Sequence, residues 1–221
     1  MGEPESITED LRCDILDGRF PPGERLVELK LTEQYDCGRL AVRTALVELA
    51  HEGLVDREAN RGATVRDISV AEAVQIAETR SALESLIASQ AAANATDAER
   101  AELIAIGERM AAAVAADDRE SYSALNAELH GLIRASSRHT VAAHLVGQLR
   151  NRGAQHRFKL ASVPGRAAES LGQHRDIIEA IVARDGDAAA SAMQVHLSSV
   201  IDRLRAWPED EAEQIESGTA G

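Results

Sequence analysis

The sequence predicts a mainly α chain: an N-terminal winged helix-turn-helix, then an all-α bundle of six helices. Three observations carry this. Hydrophobic residues make up 44% of the 221 residues but aromatics only 2%, so alanine, leucine, valine and isoleucine must fill the core, which favours close-packed helices over a sheet sandwich. Before about Val65 the chain alternates short helical segments with turns and one hairpin. After about Ala73 helical periodicity continues almost to the end.

In "ITEDLRCDILDG" residues Ile7, Leu11, Ile15 and Leu16 share a helical face, and Gly18 ends the helix. "RFPPGERL" follows, where Pro21, Pro22 and Gly23 form a tight turn. "VELKLTEQY" is a second short helix. "CGRLAVRTALVELAHEGLV" is the third, with Val42, Leu46 and Leu49 inward and Gly53 after its last turn. Strands are expected over Leu54–Arg57 and Ala63–Arg66, joined around Asn60, Arg61 and Gly62. These elements make a first domain of residues 1–69. The second, residues 70–206, holds helices over Val70–Asn94, Asp97–Ala116, Arg119–Ala135, Thr140–Leu160, Arg166–Ala183 and Asp187–Ala206. "SVPGR" separates the fourth from the fifth. "RDGDA" separates the fifth from the sixth, with Gly186 as the stop and Asp187 as the N-cap. The acidic, turn-rich residues 207–221 are expected to be disordered.

Charge narrows the function. With 24 bases against 37 acids the net charge is −13, which disfavours indiscriminate nucleic-acid binding. Yet from Cys37 to Val47 there are two arginines and no acid. Two cysteines, Cys13 and Cys37, make no disulfide framework, which fits a reducing cytoplasm. The opening "MGEPESITED" has no basic start and no apolar run, so no secretory signal is expected. No apolar run is long enough to span a membrane.

Recognition helices place their N-terminal residues in the major groove, where arginine reads guanine. Arg39 and Arg43 lie one turn apart at the start of the third helix, and Arg61 and Gly62 lie at the wing tip, where an arginine can enter the minor groove. The alternative is that these arginines are surface charges paired with Glu48, Glu52 or Asp56.

The stretch "GRFPPGERLVELKLTEQYDCGRLAVRTALVELAHEGLV", followed by "NRGATV", resembles the winged-helix domain of GntR-type transcriptional regulators over Ile7–Ile68. The resemblance implies that Arg39 and Arg43 contact a double-stranded DNA operator and that Gly62 is the wing glycine; Arg61, Lys30 and Thr44 complete the expected DNA-binding residues. Three positions depart from the pattern: Gly38 replaces the usual capping serine or threonine, Leu40 a threonine, and Leu29 a basic residue.

Of the seven histidines, three fall in helices among apolar neighbours, in "ALNAELHGLI", "LGQHRDIIEAI" and "AMQVHLSSVI". Asn126 and His130 share one helix face. Spacing alone leaves each histidine open between a metal ligand and a satisfied core or surface residue.

The motifs "ETRSALESLIA", "LNAELHGLI", "SLGQHRDIIEAI" and "DGDAAASAMQVHL" resemble the FCD ligand-binding domain of the FadR subgroup of GntR regulators. That resemblance implies a divalent ion, zinc or nickel, held by His130, His174 and His196, with Asn126 at a position usually filled by aspartate. It also implies a small carboxylate metabolite as effector, assisted by Arg80; the alternative for Arg80 is a pair with Glu84 or Glu78. Arg150 and Arg152 are further candidates. The expectation is a homodimeric, effector-responsive repressor and not an enzyme. One rival is a helical metalloenzyme, disfavoured because there is no H-E-x-x-H pattern and Glu128 faces away from His130. The other is a DNA-binding dimer whose helical half binds nothing.

Overall fold

In the computed structural model, residues 4–58, 62–153 and 165–206 are described. Helix α1 (Pro4–Leu16) leads to β1 (Arg25–Leu26), α2 (Glu28–Gln34), α3 (Arg39–His51), β2 (Val55–Glu58) and β3 (Gly62–Val65). Among the described residues six further helices follow: α4 (Val70–Asn94), α5 (Asp97–Ala115), α6 (Arg119–Ser136), α7 (Thr140–Arg152), α8 (Arg166–Val182) and α9 (Gly186–Arg205). Two compact units result, residues 1–69 and the helices from Val70 onward, except that α7 from Gln148 groups with the first unit.

In the first unit Leu11, Leu26, Leu31, Val42, Leu46, Leu49 and Val65 form the core. The expected inward faces of α1 and α3 supply Leu11, Val42, Leu46 and Leu49, all buried. Gly18 and Gly53 end their helices with φ of 79° and 75°, a conformation that only glycine adopts without strain. Thr8 donates to Glu48 at 2.8 Å, and Arg12 grips Glu52 through Nε and Nη2 at 2.8 and 2.6 Å. Glu48 and Glu52 thus tie α1 to α3. They do not neutralise the arginines at the start of α3.

The sheet has three antiparallel strands in the order β1-β3-β2. The hairpin strands start or end one residue from their expected bounds, and β1 was not expected at all. It forms because the Pro-Pro-Gly turn brings the chain back against β3: Val65 N–H donates to Glu24 at 2.8 Å and Gly23 N–H to Val65 at 2.9 Å. Gly62 opens β3 at φ 90°, and a Cβ there would lie 3.1 Å from the Leu26 carbonyl oxygen, so the close approach of β1 requires glycine.

In the second unit α9 packs along α4 and against α8, and α5 lies against α6 and α8. The core is aliphatic, as the composition requires: Ile87, Leu103, Ile106, Met110, Leu129, Ile133, Ile177 and Ile181 are fully buried. Thr96 and Glu99 form a reciprocal capping box at the start of α5. Asp118 Oδ1 accepts from Ser121 N–H at α6. The α8–α9 junction differs from expectation. Arg184, not Gly186, turns the chain with φ 62°, and Asp185, not Asp187, caps α9 by accepting from Ala188 N–H. Gly186 is instead the first residue of α9, where a Cβ would press on Ser89 Oγ at 2.9 Å, so glycine there lets α9 approach α4. Helix α7 ends at Arg152 with Gly153 in a turn; the expected extension to Leu160, most of "SVPGR" and the tail 207–221 lie outside the described residues. No described helix is long and apolar enough to cross a membrane.

Candidate nucleic-acid face and metal centre

The start of α3 carries a local concentration of positive potential. Gly38 caps it without a side-chain hydrogen bond, and its first turn holds no acid, so free N–H groups and the helix dipole face outward. Arg39 and Arg43 are exposed, as is Lys30 on α2, while Thr44 is half-buried. Arg43 Nε donates to Glu28 Oε2 at 2.8 Å, and its side chain is 61% exposed. The surface-pair alternative therefore holds in kind but with a different acid, on α2. Leu40 is 79% exposed between the two arginines. Arg61 lies outside the described residues.

Three helices of the second unit bring His130 (α6), His174 (α8) and His196 (α9) together. Each sits on the buried stripe of its helix, beside Leu129, Ile177 and Leu197 respectively, and their exposures are 3%, 1% and 5%. Ring centroids are 4.5 Å apart for His174–His196, 5.3 Å for His130–His174 and 5.5 Å for His130–His196. One nitrogen from each ring falls within 4.8 Å of the others.

Neighbouring groups orient the rings. Gln173 Oε1 accepts from His196 Nδ1 at 2.9 Å, which leaves the Nε2 lone pair free to bind. Tyr122 Oη lies 3.2 Å from His174 Nδ1, and His174 Nε2 is buried without a hydrogen-bond partner among the described residues. Asn126 Oδ1, one turn before His130, is likewise buried without a partner. Left unsatisfied, each of these buried atoms carries a desolvation cost of about 1–3 kcal/mol; with Nδ1–H donated to Tyr122, His174 Nε2 is an acceptor like Asn126 Oδ1, and a cation would relieve both. Burial, followed by the neighbouring imidazoles, pushes His174 well below the usual histidine range. Burial, followed by His130 and Arg166, does the same for His196. Both rings are therefore held in the neutral form that a metal requires. The donor set of three imidazoles and an amide oxygen suits a zinc- or nickel-like ion.

The sequence did not reveal Glu84 and Arg134. Glu84 on α4 is 2% exposed, and its Oε2 lies 3.5 Å from His130 Nδ1, the carboxylate–histidine arrangement that orients metal ligands. Its spacing from Arg80 signalled only an intrahelical pair, and that pair exists: Arg80 reaches Glu84 Oε1 through Nε at 2.8 Å and Nη2 at 2.7 Å. Glu78 pairs instead with Arg205 at 2.7 Å. Arg134 lies one turn after His130 on α6. Arg150 and Arg152 belong to the part of α7 that groups with the first unit. Of the other histidines, His51 and His144 are exposed, His139 Nδ1 accepts from Ala142 N–H, and His156 lies outside the described residues. Glu128 is ion-paired with Arg109 at 3.1 Å on the surface.

Residues 4–65 match the family model of bacterial regulatory proteins of the gntR family, and residues 75–199 match that of the FCD domain. The HTH-type transcriptional repressor RspR of Escherichia coli is 27% identical over 201 residues, covering 91% of this chain and 88% of RspR. A probable D-xylose utilization operon transcriptional repressor of Paenarthrobacter nicotinovorans is 29% identical over 201 residues, covering 88% of this chain and 85% of that protein. Among solved structures, E. coli McbR/YncC superposes with a TM-score of 0.79 at 22% identity, over 93% of this chain and 99% of that one.

Proposed function

The chain belongs to the GntR family of bacterial regulatory proteins and carries an FCD domain, and on that premise we propose that it is a homodimeric repressor whose hold on its operator is set by a small carboxylate bound at a metal ion. That it is a DNA-binding transcriptional regulator and not an enzyme follows from the family and its relatives. Repression accords with relatives that are named repressors.

In this reading the start of α3 enters the major groove. Arg39 and Arg43 read base edges or phosphates there, Leu40 meets a thymine methyl, and Lys30 and Thr44 fix register on the backbone. Arg61 and Gly62 serve the minor groove from the wing. Two copies related by a two-fold axis read the halves of a near-palindromic site. The acidic remainder of the chain discourages binding elsewhere.

One observation supports the effector half most directly: the buried triad of His130, His174 and His196, with His174 Nε2 and, one turn before His130, Asn126 Oδ1 buried without a hydrogen-bond partner among the described residues. A bound divalent ion supplies open coordination positions for a carboxylate. Gln173 and Tyr122 hold His196 and His174 in place, Glu84 sets His130, and Arg80 holds Glu84 through Nε and Nη2. Asn126 is neutral, so the site carries one more positive charge than it would with an aspartate, which favours an anionic ligand. Such a ligand loosens the operator only if it binds the DNA-competent arrangement less well than the released one. A coupling of about 1–3 kcal/mol corresponds to a 5–150-fold change in operator affinity.

The test uses an operator selected from a pool of random duplexes. Metal-loaded protein should release it when an acid from a carboxylate panel is added, and His174→Ala and His196→Ala should hold it regardless. Acid-driven release that survives both substitutions would show that the histidine cluster is not the sensor. Binding of the operator with no acid effect in any form would favour a helical half that only dimerises.

A further inference from the structure

Arg134 stands one turn beyond His130 on α6. Helical side chains lean toward their own N-terminus, and this one does: a Cβ added at Gly131 would sit 3.8 Å from Arg134 Nη2. The guanidinium therefore folds back over Gly131, alongside the turn that carries His130. Its Nη1 is buried without a hydrogen-bond partner among the described residues. Burial lowers its basicity, and the acid that acts on it is Glu84. That carboxylate is already bonded by Arg80 at 2.7 and 2.8 Å, and it also stands 3.5 Å from His130 Nδ1. One buried carboxylate thus serves two guanidinium groups beside the histidine cluster.

A buried guanidinium donor without an acceptor is costly, and its planar fork matches a carboxylate. The residues around the histidines are net positive before any ion enters, since Arg80 and Arg134 face Glu84 while Asn126 is neutral. Two negative charges on the ligand match this site better than one. We propose that Arg134 binds a second carboxylate of the effector, so that the site selects dicarboxylates over monocarboxylates of the same length. This rests on the metal-site reading, because the first carboxylate is the one at the ion.

The test is calorimetric titration of nickel-loaded full-length protein with succinate against butyrate and glutarate against pentanoate, preceded by titration of the nickel itself. The wild-type protein should bind at least one diacid about tenfold or more tightly than its monoacid. Arg134→Gln should erase that advantage, weakening the diacid about 10–100-fold while leaving the monoacid and nickel affinities in place. An advantage that persists in Arg134→Gln, or acids that bind wild-type protein with no preference for the second carboxylate, would overturn the assignment and leave the metal reading standing. Nickel or acids that do not bind wild-type protein at all would overturn both. The wild-type comparison decides the ligand class even if the variant fails to fold.

Discussion

Arg43 holds Glu28 at 2.8 Å in an ion pair whose arginine is 61% exposed. Exposed pairs of this kind are worth about 0–1 kcal/mol, so a guanine edge or a phosphate can displace Glu28 at little cost. Arg43→Ala is expected to weaken a selected operator by about 1–3 kcal/mol per half-site, read by fluorescence anisotropy, with the elution volume of the protein unchanged. Unaltered affinity would remove α3 from the groove. The acid-free run from Cys37 to Val47 made this face legible in the sequence, because local charge against an acidic background needs no tertiary knowledge. The partner of Arg43 was not legible. Glu28 lies on another helix, and the nearer acids Glu48 and Glu52 turn toward α1, where Thr8 and Arg12 hold them. The same limit applies at the histidines. Their apolar settings and the family pattern marked His130, His174 and His196, but Glu84 and Arg134 gain meaning only once α4 and α6 face each other.

Elements are fixed by their ends as much as by their faces. Thr96 caps α5 by accepting from Glu99 N–H at 3.2 Å, while Glu99 Oε2 accepts from Thr96 N–H at 2.8 Å. Thr96→Ala should cost about 1 kcal/mol, seen as a lower urea midpoint with an unchanged slope. No change in the midpoint would mean that packing alone sets the start of α5. Most helix bounds were readable to within a residue, because apolar periodicity and capping residues both mark them. Which residues turn and cap the chain was less legible. At the α8–α9 junction Asp185 and Asp187 are both competent caps and Arg184 turns left-handed where glycine was expected, a choice settled by Gly186 packing against Ser89 on α4. Strand β1 escaped because a two-residue pairing on β3 leaves no periodicity to detect.

At the scale of the whole molecule, the buried histidines make stability depend on both pH and metal. His174 and His196 stay neutral in the folded protein, whereas in the unfolded chain they take protons near the ordinary histidine value of about 6.5. Below that pH the unfolded state binds more protons, so the stability of chelator-treated protein should fall as pH drops through about 6.5. His174→Gln should flatten this slope, and a urea midpoint that does not move between pH 7.5 and 5.5 would show that the rings charge freely when folded. The measurement that tests the central claim most directly is thermal melting of the full-length protein against mono-, di- and tricarboxylates, with and without added zinc or nickel. A ligand at about 100 times its Kd adds roughly 2.7 kcal/mol, a rise of several degrees for a protein of this size. The account predicts that at least one acid raises Tm only when metal is present, and that His196→Ala abolishes the rise. An unchanged Tm with every acid, or an equal rise without metal, would contradict it.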